Sequence, residues 1–168
     1  MQNYTIAVLV RNQFGVLNRV TSMFRRRSFN IDSLTVSETD SEDFSRITVS
    51  FDGESTTKEQ LVNQLYKLPD VCSIKELDNS TSISRELMLI KMKNDPQVRD
   101  DIKAAADAFG AKTVDYTKES IVMQLTEDSG RINAFIDLMR DYEILEICRT
   151  GIVALDRGSN TIRKSNIL

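Results

Sequence analysis

Apolar and polar positions along the 168-residue chain follow one pattern that is written twice. Tyr4–Val10 is almost wholly apolar, as a strand in the middle of a sheet should be. After the polar turn Arg11-Asn12-Gln13, apolar residues recur at Val16, Val20, Met23 and Phe24, the spacing of one helix face. This predicts a helix over Gly15–Arg27. A strand is expected at Ser33–Thr39 and a polar turn at Asp40–Asp43. In Phe44–Phe51, Ile47, Val49 and Phe51 alternate with Arg46, Thr48 and Ser50, the period of a half-buried strand. Thr57 is placed to cap a helix with Leu61, Val62, Leu65 and Leu68 as its apolar stripe, and Pro69-Asp70 ends it. Val71–Leu77 reads as a further strand.

Asp78–Ser82 is a short polar break that reads as a linker. Beyond it the order returns. Leu87–Lys93 is a strand. Asp95 and Pro96 open a helix that carries Val98, Ile102, Ala105, Ala106 and Phe109, with Gly110 just past its end. Lys112–Tyr116 and Ser120–Thr126 make a hairpin around Thr117-Lys118. Asp128-Ser129-Gly130 begins a helix with Ile132, Phe135, Ile136 and Met139 turned inward. Ile144–Leu155 is the closing strand, with a bulge or kink expected at Gly151. The chain therefore reads as α+β: two tandem βαββαβ units of the ferredoxin-like kind, over residues 1–79 and 80–168. Each sheet of this kind leaves one face without helices, and the apolar content of Thr5–Val10 and Phe44–Phe51 implies that something covers part of it, either the other half of the chain or a second chain. A homo-oligomer is the expectation.

Composition narrows the function classes. A net charge of −3 argues against nucleic acid and anionic membranes as partners. No apolar run approaches the ~20 residues that span a bilayer. The N-terminus enters a strand pattern with no basic segment before it, so a cytoplasmic (or organelle stroma) location is expected. With no histidine in the chain, triads and metal sites that depend on histidine are excluded. Cys72 and Cys148 each lie in an apolar run and read as buried thiols.

The fold alone hosts enzymes, RNA binders and ligand sensors. An RNA-binding sheet wants aromatics on its third strand, where Arg46–Phe51 offers one. An acylphosphatase-like enzyme wants a glycine-rich phosphate cradle, and the loop from Arg11 to Gly15 has a single glycine. No Gly-Asp-Gly motif for a diphosphate cofactor is present. What remains is a candidate small-ligand site. Gly15 allows close backbone approach at a helix head, where free N–H groups suit a carboxylate. Asn12 and Asn30 each offer a donor and an acceptor to a zwitterion, and Val16 and Ile31 are placed to line a small apolar pocket. The residues leave a second reading open, in which Asn12 caps the helix and Asn30 makes a turn. Arg25-Arg26-Arg27 reads as a solvated helix end favoured by the helix dipole.

The stretch from Gly15 through Arg27-x-x-Asn30-Ile31-x-Ser33-Leu34 resembles the ACT domain of the regulatory (small) subunit of acetohydroxyacid synthase, also called acetolactate synthase. Arg85–Lys91 and Arg149–Gly158 resemble that subunit's C-terminal domain. The resemblance covers nearly the whole chain. It implies a non-catalytic subunit that binds and activates the large catalytic subunit and confers feedback inhibition by valine or another branched-chain amino acid such as isoleucine. By the same resemblance Asn12, Gly15, Val16, Asn30 and Ile31 form the ligand site, shared across a homodimer of ACT domains in which Leu34-Thr35-Val36 is a pairing edge. The chain would carry no cofactor; thiamine diphosphate, Mg and FAD would reside in the catalytic partner. The competing expectation is a free-standing amino-acid sensor of the ACT family with no enzyme partner. The family commonly has glycine where Ser28 stands, at a position that favours left-handed backbone.

Overall fold

The computed structural model describes residues 2–164. The chain divides into two compact units, one from residues up to Ile83 together with those from Ile152 on, the other Ser84–Gly151.

The first unit is built from β1 (Gln2–Arg11), α1 (Val16–Arg26), β2 (Ser33–Glu38), β3 (Phe44–Gly53), α2 (Ser55–Leu65) and β4 (Val71–Glu76). The strands form an antiparallel sheet in the order β2-β3-β1-β4, with Ile6 opposite Val49 and Val8 opposite Ile47. Because side chains alternate along a strand, Tyr4, Ile6, Val8 and Val10 share one face. They pack there with Val16, Val20, Met23 and Phe24 of α1 and Leu61 and Leu65 of α2. Ala7 and Leu9 point the other way.

The second unit repeats the plan with β5 (Ser82–Lys93), α3 (Arg99–Phe109), β6 (Lys112–Tyr116), β7 (Ser120–Glu127), α4 (Ser129–Met139) and β8 (Ile144–Arg149), in the order β6-β7-β5-β8. Met88, Ile90 and Met92 face Ile102, Ala106, Ile132, Phe135 and Met139. Leu87 and Leu89, on the alternate side of β5, are exposed. Gly110 ends α3 in left-handed conformation at φ 74°, just past the helix as the sequence predicts, and α4 starts after Asp128, whose carboxylate caps it by accepting the Arg131 amide.

Several helix and strand boundaries differ from the expectation, among them the start of β5, which lies at Ser82, inside the expected linker, rather than at Leu87. α2 begins at Ser55 rather than after Thr57, because β3 runs on to Gly53. A Cβ at Gly53 would lie 3.2 Å from Thr57 Cβ, so this glycine lets the helix follow the strand at once. Pro96 lies in a turn before α3, with Asp95 accepting the Gln97 amide through its side chain and the Val98 and Arg99 amides through its carbonyl. The expected closing strand Ile144–Leu155 is two strands, β8 and β9 (Val153–Asp156), parted at Gly151 with φ 79°.

The compact units divide differently from the expected split at 79/80. The chain after Gly151 groups with the first unit. Ala154 and Ile162 close over Ala7, Leu9 and Leu77, on the sheet face away from the helices. β9 pairs with β5, whose first residues Ser82 and Ile83 belong to the same unit. Ser73 Oγ donates to the Ile162 carbonyl at 2.8 Å and Arg46 Nη2 to the Ala154 carbonyl at 2.6 Å. Lys75 pairs with Asp156 and Arg163 with Asp40. The open face of the first sheet is thus covered in part by the chain's own C-terminal strap, which was expected to fall in the second domain.

Candidate functional site

The head of α1 is open to ligand. Gly15 stands at its N-cap with φ 81°, a conformation that costs glycine little, and no side chain caps the helix. The amides of Leu17 and Asn18 lie in the first turn, where no intrahelical carbonyl reaches them. Arg19 brings positive charge to the same place: a Cβ on Gly15 would sit 3.5 Å from its Nη1. The Arg19 guanidinium is held there by Asp70, with Nε 2.7 Å from Oδ2, and the Asp70 carbonyl accepts the Arg11 amide at 2.9 Å. Helix dipole, free amides and a fixed cation all favour an anion at this end.

Asn12 is anchored, and the anchoring selects which end of its amide is available. Nδ2 donates to Glu38 Oε1 at 3.1 Å and to the Glu42 carbonyl at 2.9 Å, while the Asn12 amide N–H donates to the Asp43 carbonyl at 2.8 Å. The turn between β2 and β3 consumes its donors and leaves Oδ1 as an acceptor. Asn12 does not cap α1. It lines a cavity of about 490 Å³ with Arg11, Gln13, Asp43, Phe44 and Cys72. Gly15 lines a separate one of about 610 Å³ with Gln13, Phe14, Leu17, Asn18 and Thr21.

Asn30 belongs to neither cavity. It follows the far end of α1, where the helix closes in a complete Schellman motif: Ser28 N–H donates to the Arg25 carbonyl and Phe29 N–H to the Phe24 carbonyl. Ser28 takes the left-handed position at φ 55° without being glycine. Asn30 is exposed and makes no side-chain hydrogen bond among the described residues. Val16, expected on a pocket wall, is 3% exposed and packs inside the core, and Ile31 is half-buried against the same core. Within one chain the five expected residues therefore do not converge. Eleven helical residues separate the Gly15 end from the Asn30 end, about 16 Å at 1.5 Å per residue.

Among the described residues no group of three or more Cys, Asp or Glu could hold a metal ion, and no helix is long and apolar enough to cross a membrane. Cys148, expected to be buried, is exposed, and Cys72 is half-buried.

Residues 6–73 match the family model described as the AHAS small subunit-like ACT domain, and residues 85–158 match that of the small subunit of acetolactate synthase. A probable acetolactate synthase small subunit of Archaeoglobus fulgidus is 45% identical over 93% of this chain and 98% of its own length. The acetolactate synthase small subunit of Bacillus subtilis is 42% identical, over 96% and 94%. The chain belongs to the acetolactate synthase small-subunit family. The crystal structure of the Thermotoga maritima acetolactate synthase small subunit superposes with a TM-score of 0.87 at 33% identity, covering 95% of this chain and all of that one. The ACT identity of the first unit and the ferredoxin-like fold stand with it.

Several groups around the ACT helix head escaped the sequence reading. Arg19 and Asp70 lie far apart in the chain, and nothing local marks them as a pair. Glu38 reads only as part of the strand Ser33–Thr39, and Asp43 only as part of a polar turn. Phe14 is fully exposed beside Gly15, with Leu17 also exposed one turn on. An aromatic residue in a turn, outside the helical apolar pattern, was the available signal for it.

Proposed function

We propose that this small subunit binds valine, or another branched-chain amino acid, between two copies of its ACT unit and thereby sets the activity of the large catalytic subunit. It performs no chemistry itself. It raises the activity of the thiamine-diphosphate-dependent partner and imposes feedback inhibition on it. The observation that carries this reading is the separation of Asn12 and Gly15 from Asn30 by the length of α1, far more than one amino acid spans. A two-fold pairing of ACT units sets the helix head of one chain against the Asn30 end of the other, and makes two equivalent sites. The geometry of β2 supports such pairing, since it is an edge strand with Val36 exposed.

In this site the first-turn amides and Arg19 receive the carboxylate, and Asn12 Oδ1 accepts from the ammonium group. Asn30 of the second chain, whose side chain makes no hydrogen bond among the described residues, completes the polar shell. Phe14 and Leu17 supply the apolar wall that Val16, turned into the core, does not. Titration calorimetry with valine, isoleucine and leucine tests the reading, and no heat with any of the three would sink it. Co-purification with the large subunit separates a regulatory subunit from a free-standing sensor.

A further inference from the structure

The turn between β2 and β3 is gripped from two sides. On one side Asn12 holds it through Glu38 Oε1, the Glu42 carbonyl and the Asp43 carbonyl. On the other, Arg163 of the C-terminal strap holds Asp40 with both guanidinium nitrogens, Nη1 lying 3.2 Å from Oδ2. The turn itself is a closed body. Thr39 Oγ1 donates to the Ser41 carbonyl and accepts the Ser41 amide, and the Thr39 and Phe44 amides close it across the base. A pull at Asp40 therefore reaches Glu42, two residues on, without being absorbed by a loose loop.

The strap is in turn pinned where its displacement would be felt. Asp156 is nearly buried against Lys75, Arg46 binds the Ala154 carbonyl, and Ser73 binds the Ile162 carbonyl immediately before Arg163. A cavity of about 500 Å³ lies under it, lined by Glu38 at the end of β2, by Asp40 from the turn and by Leu155, Ile162 and Arg163 from the strap. Glu38, the partner of Asn12, thus borders the space that the strap covers.

We propose that Arg163 and Asp40 are positioning residues for Asn12: the strap sets the β2–β3 turn, and the turn sets the amide that meets the ligand. This rests on the reading that an amino acid binds at Asn12. The pair is exposed, so its effect is bounded. A bidentate surface pair of this kind carries a change of about two- to five-fold in an equilibrium.

The test uses the full chain with Arg163→Ala, Asp40→Asn, the double variant and Arg163→Lys. Two quantities are measured: hydrogen exchange of residues 38–43 without ligand, and valine dissociation constants by calorimetry. The expected result is faster exchange in the turn, valine weakened about two- to five-fold in each single variant, no further loss in the double variant, and partial recovery with lysine. Faster exchange with unchanged valine affinity overturns the positioning role while leaving the valine reading intact. Unchanged exchange overturns the grip itself. If the parent chain shows no heat with valine, the functional reading fails first, and the positioning role fails with it whatever the exchange shows.

Discussion

Glu86 and Arg149 close a bidentate ion pair in the second unit, Arg149 Nε 2.6 Å from Oε1 and Nη2 2.8 Å from Oε2. The Glu86 side chain is only 3% exposed, and Ser129 Oγ at the start of α4 donates to the same carboxylate at 2.9 Å. Burial alone would push the Glu86 carboxyl up. Hydrogen bonds from Arg149 and Ser129 outweigh it and hold the group below the ordinary glutamate range. The pair ties β5 to β8 and to the head of α4 at the end of the strand that precedes Gly151.

Its pH consequence has a definite sign. A carboxyl whose folded pKa lies below its unfolded value stabilises the fold above the unfolded value, about 4.3 for glutamate. That contribution is lost as pH falls through the folded value. Acid should therefore loosen the second unit below about pH 4.3, and Glu86→Gln should flatten this part of the stability curve. Arg149→Ala leaves a buried carboxylate without its cation and should destabilise the unit by about 3 kcal/mol at neutral pH. Urea melts from pH 3 to 7 measure both. A parallel loss in parent and Glu86→Gln would assign the acid sensitivity to other carboxylates.

Ser28→Gly should stabilise the first unit. The left-handed conformation costs a residue with a Cβ about 1–2 kcal/mol, and glycine gives back part of the gain through its freer unfolded chain. The net expectation is about 0.5–1 kcal/mol, a rise of about 2–4 °C in Tm per kcal/mol for a chain of this size. Calorimetry resolves that change, and an unchanged or lower Tm would show that the serine is relaxed at φ 55°.

The strap should prove integral to the ACT unit. Asp156→Ala removes the partner of Lys75 and the charge that offsets the burial of Arg46, whose pKa burial lowers. The strap should then exchange its amides faster, and the first unit should lose about 1–3 kcal/mol. Exchange that quickens equally in Ser84–Gly151 would mean that the effect is not local to the strap.

The order of strands and helices was legible because both periods are clean: Ile47, Val49 and Phe51 at two, Val16, Val20, Met23 and Phe24 near four. The start of α4 at Asp128–Gly130 and the end of α3 at Gly110 were legible too, since the chemistry that bounds a helix is local. The return of the strap was not. Ile144–Leu155 is one apolar run apart from its polar interruptions, and only the left-handed backbone at Gly151 shows that its two halves serve different units. The candidate site was half legible. Gly15 and Asn12 lie three residues apart, with Gln13 between them lining both of their cavities, but the anchoring of Asn12 by Glu38 and the pairing of Arg19 with Asp70 depend on strand register that no local pattern encodes.

If the site is shared between two chains as proposed, variants at its two ends should complement one another. Asn12→Ala and Asn30→Ala should each lose most valine binding as homodimers. Mixed and exchanged, half of the dimers are heterodimers, and each of these holds one site with both amides intact and one with neither. About a quarter of the parent binding capacity should return, at parent affinity. No recovery in a mixture shown by mass spectrometry to have exchanged would place both amides in one chain's site, against the separation along α1.

Valine bound as proposed must act on a distant active site. A ligand shifts an equilibrium only by its difference in affinity for the two states, so valine must bind the free subunit and the complex with the large subunit unequally. Coupling of this kind is reciprocal: whatever factor valine imposes on large-subunit binding, the large subunit must impose on valine. A typical coupling of about 1–3 kcal/mol is a change of about 5- to 150-fold in both dissociation constants, measurable by calorimetry in each direction. Gly15 offers the control. Aspartate and asparagine are nearly the same shape and both tolerate left-handed backbone, yet only aspartate sets a negative charge where the ligand carboxylate should lie. Space is not limiting, because a Cβ there meets nothing closer than Arg19 at 3.5 Å. Gly15→Asp should abolish both shifts while Gly15→Asn keeps a measurable part of them, and activation of the large subunit without valine should survive in both. Equal losses in the two variants would locate the defect in backbone geometry rather than charge. Inhibition that persists while neither constant moves would mean that valine acts on turnover inside a complex already formed.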